Sequence, residues 1–258
     1  MQTSMIATAV AASMLFGASL AHASDKPTVV LVHGAFADAS SWNGVVEILE
    51  KDGYPVVAAA NPLRGVRSDA AQIGALVDSI EGPVILVGHS YGGLVIGEAA
   101  TGMSNVKALV FVAAFAADTG ETAALLSGKF PGGTLGPTLA PPVPLPGGGM
   151  DLYIKQEDFA AQFAADVPAS AAKVMAAEQR PIVDAAFKEA VSKPAWHTIP
   201  SWFIYGEMDR NIPAALQVFM AERAGAKQTV VVKGASHVVM VSNPRKVAEV
   251  IEAAATYQ

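Results

Sequence analysis

The amino-acid sequence contains no cysteine and few charged residues. Among its 258 residues, Asp, Glu, Lys and Arg together make up 16%. The absence of cysteine excludes a disulfide framework, a thiol nucleophile and a cysteine-based metal site. The H-E-x-x-H pattern of zinc hydrolases is also missing from the sequence. Hydroxyl, imidazole and carboxylate groups therefore remain as the candidate reactive groups, and no metal is expected.

Positive charge is sparse and scattered along the chain. There are 17 Lys and Arg residues against 23 Asp and Glu, which gives a net charge of −6, and no basic run occurs. Because nucleic-acid binding requires clustered positive charge facing the phosphates, a nucleic-acid partner is not expected. Hydrophobic residues make up 52% of the chain, which suits one large domain with a sizeable core.

The first 23 residues carry no charged side chain. Their apolar stretch from Met5 to Leu20 ends in Ala21-His22-Ala23, a small-x-small cleavage pattern. This pattern predicts a signal peptide over residues 1–23 and a secreted or periplasmic protein. The alternative is an uncleaved membrane anchor, although about 16 apolar residues are short for a span. No later stretch is typical of a membrane span, so no stable membrane insertion is expected after cleavage.

Short apolar runs alternate with helix-like segments through the rest of the chain. Six runs are typical of strands buried on both faces: Thr28–Val32, Pro55–Ala60, Pro83–Val87, Val106–Val112, Ser201–Tyr205 and Thr229–Val232. Helices are expected between them, with Ser40 or Ser41 capping the first and Ser68 the second. The alternation predicts an α/β fold with a mainly parallel sheet of about six strands and helices on both faces.

A long central region interrupts this alternation. Thr134–Gly149 is rich in proline and glycine, so no regular structure is expected there. Lys155–Val191 is typical of several short helices. We interpret the region as a helical cap or lid over the carboxyl end of the sheet, and the alternative is a surface excursion without function. The expected division is a core of residues 24–115 and 197–258 and an insertion of residues 116–196.

One serine stands in a sharp turn between a predicted strand and a predicted helix. Gly88-His89-Ser90-Tyr91-Gly92 matches G-x-S-x-G, the nucleophile elbow in which glycines allow the chain to turn tightly. The following helix N-terminus favours negative charge that develops on an attacked carbonyl. We therefore predict that Ser90 is a nucleophile; the alternative is a glycine-rich turn with an incidental serine.

A serine nucleophile requires a base and a group that orients the base. His237 follows the last predicted strand and is the predicted base, whereas a supporting role in turns is expected for His33 and His89. Asp209 follows the strand before it and is the predicted acid. Asp118, which follows another strand, is the alternative acid.

The remaining parts of a hydrolytic site are also recognisable. His33-Gly34-Ala35 follows the first strand, and the N–H groups of Ala35 and Tyr91 are the predicted oxyanion donors. Phe36 and Trp196 are predicted to bind substrate. Further candidates for an apolar pocket wall are Tyr91, Met150, Tyr153, Phe159 and Phe163.

Three segments resemble the α/β-hydrolase superfamily: VLVHGAFADASSW, VILVGHSYGGLVIGEAA and SHVVMVSNPRKVAEVI. They are similar to its small plant-type methyl esterases, hydroxynitrile lyases and bacterial hydrolases. The order Ser90, Asp209, His237 is also the family's order of nucleophile, acid and histidine. The resemblance implies a core sheet, a cap between the sixth and seventh family strands, and no cofactor.

The resemblance also ranks the branches of that family. Haloalkane dehalogenases and epoxide hydrolases carry aspartate where this chain has Ser90. Hydroxynitrile lyases typically carry threonine at the position of Gly34 and lysine directly after the catalytic histidine. Here Val238 follows His237, which disfavours cyanohydrin cleavage. Residues 131–149 depart from the plant esterase cap.

The sequence therefore predicts a serine hydrolase that cleaves a small to medium carboxylic ester through an acyl-enzyme on Ser90. The expected partner is a small-molecule ester. Two alternatives stay open: a non-catalytic protein of this fold that binds a small ligand, and a cofactor-free haloperoxidase or lyase. A proline-rich interaction segment around Pro141 and Pro144 is a weaker third alternative.

Overall fold

The computed structural model describes residues 26–257, and the predicted signal peptide, residues 1–23, lies outside them. The elements up to the fourth strand are β1 (Thr28–Val32), α1 (Asn43–Lys51), β2 (Val56–Ala59), α2 (Val66–Asp78), β3 (Val84–His89), α3 (Gly92–Ala99) and β4 (Val106–Val112). The next elements are α4 (Ala123–Ser127), α5 (Leu135–Thr138), β5 (Val143–Pro144), β6 (Met150–Leu152), α6 (Gln156–Phe163), α7 (Ala169–Glu178), β7 (Ile182–Val183) and α8 (Asp184–Lys188). The last are β8 (Ser201–Gly206), α9 (Ala214–Arg223), β9 (Gln228–Val232), α10 (Val239–Ser242) and α11 (Pro244–Ala255). Within residues 26–257, no helix is both long enough and apolar enough to cross a bilayer.

Six strands form one parallel sheet in the order β2-β1-β3-β4-β8-β9. Their Val- and Leu-rich runs are buried on both faces: the four residues from Val29 to Val32, for example, are fully buried. The predicted fold class and all six predicted strands are confirmed, with bounds that differ by two residues at most. Because all strands run in the same direction, their carboxyl ends meet at one edge.

Helices cover both faces of this sheet. On one face α11 packs against β3, β4 and β8 and pairs with α1. On the other, α3 packs against β1, β3 and β4 and pairs with α2. The core therefore lies in two layers on either side of the sheet, as the alternation of strands and helices predicts.

Two helices begin at residues other than those predicted. The Asp38 carboxylate caps a 3₁₀ turn at Ala39–Trp42, where it accepts a hydrogen bond from the Ser40 N–H at 2.8 Å. Helix α1 follows this turn without a side-chain cap. Helix α2 begins at Val66, because the Gly65 carbonyl already accepts the Asp69 N–H at 2.9 Å. Ser68 lies inside its first turn, so the predicted caps at Ser40 or Ser41 and at Ser68 are wrong.

The segment from Ala113 to Pro200, between β4 and β8, is called the β4–β8 segment here. It contains a small antiparallel sheet in the order β5-β6-β7. The expectation that Thr134–Gly149 has no regular structure is wrong, since α5 and β5 lie within it. Proline fits both elements, because the first turn of a helix and an edge strand need no N–H donor there. The short helices predicted over Lys155–Val191 are confirmed by α6, α7 and α8.

The β4–β8 segment is attached to the loops that follow β1 and β2. The Phe36 N–H donates to the Arg180 carbonyl at 3.0 Å, and the Val183 N–H donates to the Leu63 carbonyl at 3.1 Å. The Arg64 guanidinium reaches the Asp151 carboxylate at 2.5 Å. These contacts hold the segment at the carboxyl edge of the main sheet.

Candidate active site

Ser90 occupies the turn between β3 and α3 in a strained backbone conformation. Its φ angle is +54°, in the left-handed region that favours glycine. The Ser90 N–H donates to the Val112 carbonyl at 3.3 Å, and the Ser90 carbonyl accepts the Phe115 N–H at 3.1 Å. Such strain persists where the surroundings fix the conformation, and it is typical of the nucleophile elbow.

Glycines allow three backbone segments to meet at this turn. A Cβ on Gly88 would lie 2.6 Å from the Gly92 carbonyl oxygen, and one on Gly93 would lie 2.2 Å from that of Phe115. A Cβ on Gly34 would lie 2.6 Å from the Cβ of Ser90. The loop after β1 is therefore in direct contact with Ser90, and a side chain at any of these positions would separate the segments.

His237 and Asp209 form a fully buried pair. The His237 Nδ1 lies 2.7 Å from the Asp209 Oδ2, and the exposed fractions of the two side chains are 1% and 0%. The other carboxylate oxygen, Oδ1, accepts the N–H groups of Asn211 and Ile212 at 2.8 and 2.9 Å. Because a carboxylate accepts hydrogen bonds, the imidazole donates from Nδ1, which leaves the lone pair on Nε2.

The pair forms because the loops after β8 and β9 lie against each other. A Cβ on Gly206, the last residue of β8, would lie 2.3 Å from the carbonyl oxygens of Ala235 and Ser236. The Met208 N–H donates to the Ala235 carbonyl at 2.9 Å. Neighbouring parallel strands and one glycine thus bring together two side chains that are 28 positions apart.

Ser90 and His237 line the same cavity, which has a volume of about 330 Å³. The His237 Nε2 is buried and has no hydrogen-bond partner within residues 26–257. None of the described residues that line this cavity is Asp, Glu, Lys or Arg, and most are apolar. The lone pair of a buried imidazole is therefore unoccupied beside a cavity that contains a strained serine.

A second imidazole packs against His237. The ring centres of His89 and His237 lie 4.7 Å apart, and the Phe163 ring lies 5.0 Å from His237. The His89 Nε2–H donates to the His237 carbonyl at 3.2 Å. Complete burial is the largest cause that lowers the pKa of His89 well below its usual value. His89 is therefore neutral and supports the backbone of His237, a contact across 148 positions that the sequence does not reveal.

The loop after β1 is fixed by His33. The Asn61 N–H donates to the His33 Nε2 at 3.0 Å, so the His33 Nδ1 carries the proton and donates to the Gly34 carbonyl at 2.9 Å. Burial lowers the pKa of His33 and favours this neutral form. In the described part of the chain, the N–H groups of Ala35 and Tyr91 donate to no protein acceptor. Two N–H donors near Ser90 are thus unpaired: that of Ala35, in the loop after β1, and that of Tyr91, the residue that follows Ser90.

The Tyr91 side chain lies in the core rather than in the cavity. Its hydroxyl donates to the buried Asp69 carboxylate at 2.9 Å, and burial raises the pKa of both groups. Tyr91 is therefore one of the predicted wall residues that the structure does not bring to the cavity.

Only two of the predicted wall residues line the cavity, namely Phe36 and Phe163. The structure does not bring Met150, Tyr153 or Phe159 to it: Met150 is exposed and Phe159 is fully buried. Eight further apolar residues line the cavity, and the sequence does not predict them as wall residues: Ala35, Phe115, Ala124, Leu135, Leu139, Leu152, Phe187 and Ile212. Among them, Ala35 is predicted only as an oxyanion donor. Most of these residues belong to the β4–β8 segment, whose sequence has no hydrophobic periodicity that would predict how it folds.

Trp196 also lies away from the cavity. Its indole N–H donates to the Ala117 carbonyl at 2.9 Å, and its ring stacks on His197 with a centre distance of 3.9 Å. The His197 Nε2 lies 2.8 Å from the Asp118 carboxylate at the surface. Asp118 therefore pairs with His197, not with His237, and Trp196 packs beside that pair. Among residues 26–257, no group of three or more His, Asp or Glu side chains is placed to hold a metal ion.

Comparison with known proteins assigns the fold to a family. The model of the alpha/beta hydrolase family matches residues 29–250. Alpha-hydroxynitrile lyase of Arabidopsis thaliana is 27% identical over 253 residues, which cover 90% of this chain and 98% of that protein. Salicylic acid-binding protein 2 of Nicotiana tabacum is 27% identical over 252 residues, with 88% and 97% covered. The crystal structure of polyneuridine aldehyde esterase shares the fold with a TM-score of 0.77 at 22% identity, and covers 88% of this chain and 98% of its own. The chain belongs to the alpha/beta hydrolase family.

Proposed function

We propose that the protein is a serine hydrolase that cleaves an uncharged carboxylic ester through an acyl-enzyme on Ser90. The observation that carries this proposal is the unpartnered Nε2 of His237, in the cavity that Ser90 also lines. A buried imidazole nitrogen without a hydrogen-bond partner destabilises the fold. A role in taking a proton from the Ser90 hydroxyl when substrate fills the cavity would explain why it is kept.

The proposed first step joins serine to the acyl group. The Ser90 Oγ attacks the ester carbonyl carbon while its proton passes to the His237 Nε2. Asp209 holds the protonated imidazole through Nδ1, and the N–H groups of Ala35 and Tyr91 stabilise the oxyanion. The C–O bond to the alcohol then breaks, and His237 returns the proton to the leaving oxygen.

The second step releases the acid. Water attacks the acyl carbonyl while the His237 Nε2 takes its proton, and the Ser90 Oγ leaves with that proton restored. In both steps the imidazole takes and returns the proton, the carboxylate stabilises the imidazolium, and the two N–H groups stabilise the oxyanion. No step requires a metal or another cofactor.

The apolar cavity supports a neutral substrate. Because no charged side chain is found among the described residues that line it, a substrate with a charge inside the cavity would be desolvated without a partner. We propose that the β4–β8 segment is the cap that encloses this substrate, since Leu135, Leu139 and Leu152 of that segment contribute to the wall.

The location and the reaction type are supported by observations outside the site. The predicted signal peptide, residues 1–23, supports export of the mature chain to the periplasm or the medium. The relatives bear the names of a lyase, a binding protein and an esterase. The choice among these activities therefore depends on the chemistry that Ser90 and His237 support.

A panel of neutral p-nitrophenyl and methyl esters tests the proposal, with a cyanohydrin assayed in parallel. We expect ester hydrolysis that falls by at least about 10³-fold in Ser90→Ala, because the covalent step is removed. Binding of esters without turnover would favour the ligand-binding alternative. Cyanohydrin cleavage without ester hydrolysis would favour the lyase.

A further inference from the structure

Phe36 has an unusual conformation for a large residue. Its φ angle is +60°, in the left-handed region, and its side chain is buried with 2% exposed. The Phe36 N–H donates to the Arg180 carbonyl at 3.0 Å. Its ring meets the Phe163 ring edge-on at 6.2 Å and lies 6.5 Å from the Phe187 ring. Backbone and ring are therefore both held by the β4–β8 segment.

Two cavities adjoin Phe36. One is the cavity of about 330 Å³ that Ser90 and His237 line. The other, which we call the outer groove, has a volume of about 520 Å³ and lies between the start of α1 and helix α7. Among the described residues, Phe36 alone lines both. Phe36 is thus the one described residue common to the walls of the candidate active site and of a second, larger space.

We propose that the Phe36 ring is the partition that limits the length of the substrate's aliphatic chain. This inference rests on the proposed ester hydrolysis and names a specificity-determining residue for it. With the ring in place, a chain that enters beside Ser90 fills the 330 Å³ cavity and meets Phe36. Without the ring, the chain continues into the outer groove.

The walls of the outer groove suit a neutral alkyl chain. Half of the described lining residues are apolar: Phe36, Ala37, Ala171, Val174, Met175 and Val241. The uncharged polar ones are Ser40, Ser41, Asn43 and Gln179, so an alkyl chain would lie along the apolar half of the groove. Its charged residues are Asp38 and Glu178, both acidic, so an anionic chain end would be repelled. A methylene chain gains free energy from the apolar wall as water leaves it.

The hydrogen bond that holds the main chain at position 36 does not involve the ring. The hydrogen bond to Arg180 uses the backbone N–H, which alanine and leucine retain. Phe36→Ala therefore removes the partition while it keeps the contact that fixes the loop beside Ala35. Leucine at this position removes less volume and keeps more of the packing against Phe163 and Phe187.

The test is binding of a homologous series of methyl esters, from butanoate to dodecanoate, by isothermal titration calorimetry to the Ser90→Ala protein. With Phe36 present, we expect affinity to rise with chain length and then level off once the cavity is full. With Phe36→Ala in addition, we expect affinity to continue to rise, about fourfold for each methylene beyond that point. An identical plateau in both proteins would overturn the proposal.

Three variants complete the design. Phe187→Ala enlarges the same cavity without opening it to the outer groove, so its plateau should shift by only a few methylenes. Val174→Trp, on the exposed face of α7, should restore the plateau when it is added to Phe36→Ala by filling the groove. Phe36→Leu should give an intermediate shift, which keeps the test valid if the alanine variant does not fold.

Binding separates this inference from the proposed function. Ser90-dependent ester hydrolysis with unchanged chain-length dependence in the Phe36 variants would overturn the partition alone. A chain-length shift in the variants of a protein that does not turn over esters would overturn the hydrolase alone.

Discussion

The Nδ1 atom of His237 lies 2.7 Å from the Oδ2 atom of Asp209, in a pair fully withdrawn from solvent. Two backbone N–H groups hold the other carboxylate oxygen, so the pair is oriented before any ligand binds. The opposite side of the imidazole has its lone pair free next to the cavity that contains Ser90. We therefore propose Asp209, not Asp118, as the acid that orients His237.

Asp209→Asn should lower kcat for an ester substrate by about 10⁴-fold, because an amide no longer selects the imidazole tautomer with its lone pair on Nε2. Asp118→Asn is the matched control, since Asp118 pairs with the surface residue His197. Its kcat should stay within about twofold of the parent value. Steady-state kinetics on both variants check this. A loss in Asp118→Asn that equals the loss in Asp209→Asn would contradict the assignment.

Two glycines of helix α3 should respond oppositely to alanine. Gly93→Ala would place a Cβ 2.2 Å from the Phe115 carbonyl oxygen, so we expect the free energy of unfolding to fall by at least about 3 kcal/mol. Gly97→Ala meets no atom within 4 Å and should raise it by about 0.5–1 kcal/mol through helix propensity. Urea denaturation measures both. Equal effects at the two positions would show that the close approach at the elbow is not what requires glycine.

Tyr91→Phe should destabilise the fold by about 1–3 kcal/mol. The substitution removes the hydroxyl that donates to the buried Asp69 carboxylate, whose pKa burial already raises. Tyr257→Phe is the control, because that side chain is half-exposed, and its effect should stay within about 0.5 kcal/mol. Urea denaturation at neutral pH gives the free energy of unfolding of each variant for comparison with the parent protein. A Tyr91→Phe protein as stable as its parent would show that the hydrogen bond has no net value.

Mild acid should destabilise the protein because two buried histidines resist protonation. Burial lowers the pKa of His33 and His89 in the folded chain, whereas the unfolded chain keeps the ordinary value of 6.5. Below that value the unfolded chain takes up protons that the folded chain does not. The free energy of unfolding should therefore fall by up to about 1.4 kcal/mol per pH unit for each histidine, and this contribution is complete above about pH 7.

Urea denaturation between about pH 7.5 and pH 5 measures that dependence. The lowered pKa values of Asp118 and Glu121 have the same sign but act near their ordinary values of 3.8 and 4.5, below most of this window. The raised pKa values of Asp69 and Glu252 have the opposite sign and reduce the slope at its acid end. His89→Gln removes one of the two histidines, and we expect it to halve the slope above pH 5. A stability that does not change from pH 7 to pH 5.5 would be inconsistent with two neutral buried imidazoles.

The sequence predicts the sheet and the carboxyl-edge position of the candidate residues because both follow from local patterns. Strands such as Thr28–Val32 are continuous apolar runs, which burial on both faces requires. The glycines around Ser90 predict the sharp turn, and the positions of Asp209 and His237 after neighbouring strands place them on one edge. These signals depend on spacing within a few residues of each strand end.

The sequence does not predict the cavity wall, because the wall depends on contacts across the chain. Trp196 is a large aromatic residue in the right region, yet its indole N–H donates to Ala117 and directs the ring away. Phe187 lines the cavity because the Val183–Leu63 hydrogen bond positions the start of α8. Neither outcome has a periodic or local signature, since the β4–β8 segment folds on the rest of the protein.

Labelling with a fluorophosphonate, followed by mass spectrometry of the proteolytic peptides, tests the central claim most directly. An activated Ser90 should form one covalent adduct per chain, located on the peptide that contains residue 90, and the adduct should be absent from Ser90→Ala. Asp209→Asn should slow its formation, because the phosphonate requires the same base as the ester. Labelling that persists unchanged in Ser90→Ala would contradict the account, and so would ester turnover that leaves Ser90 unmodified by the reagent.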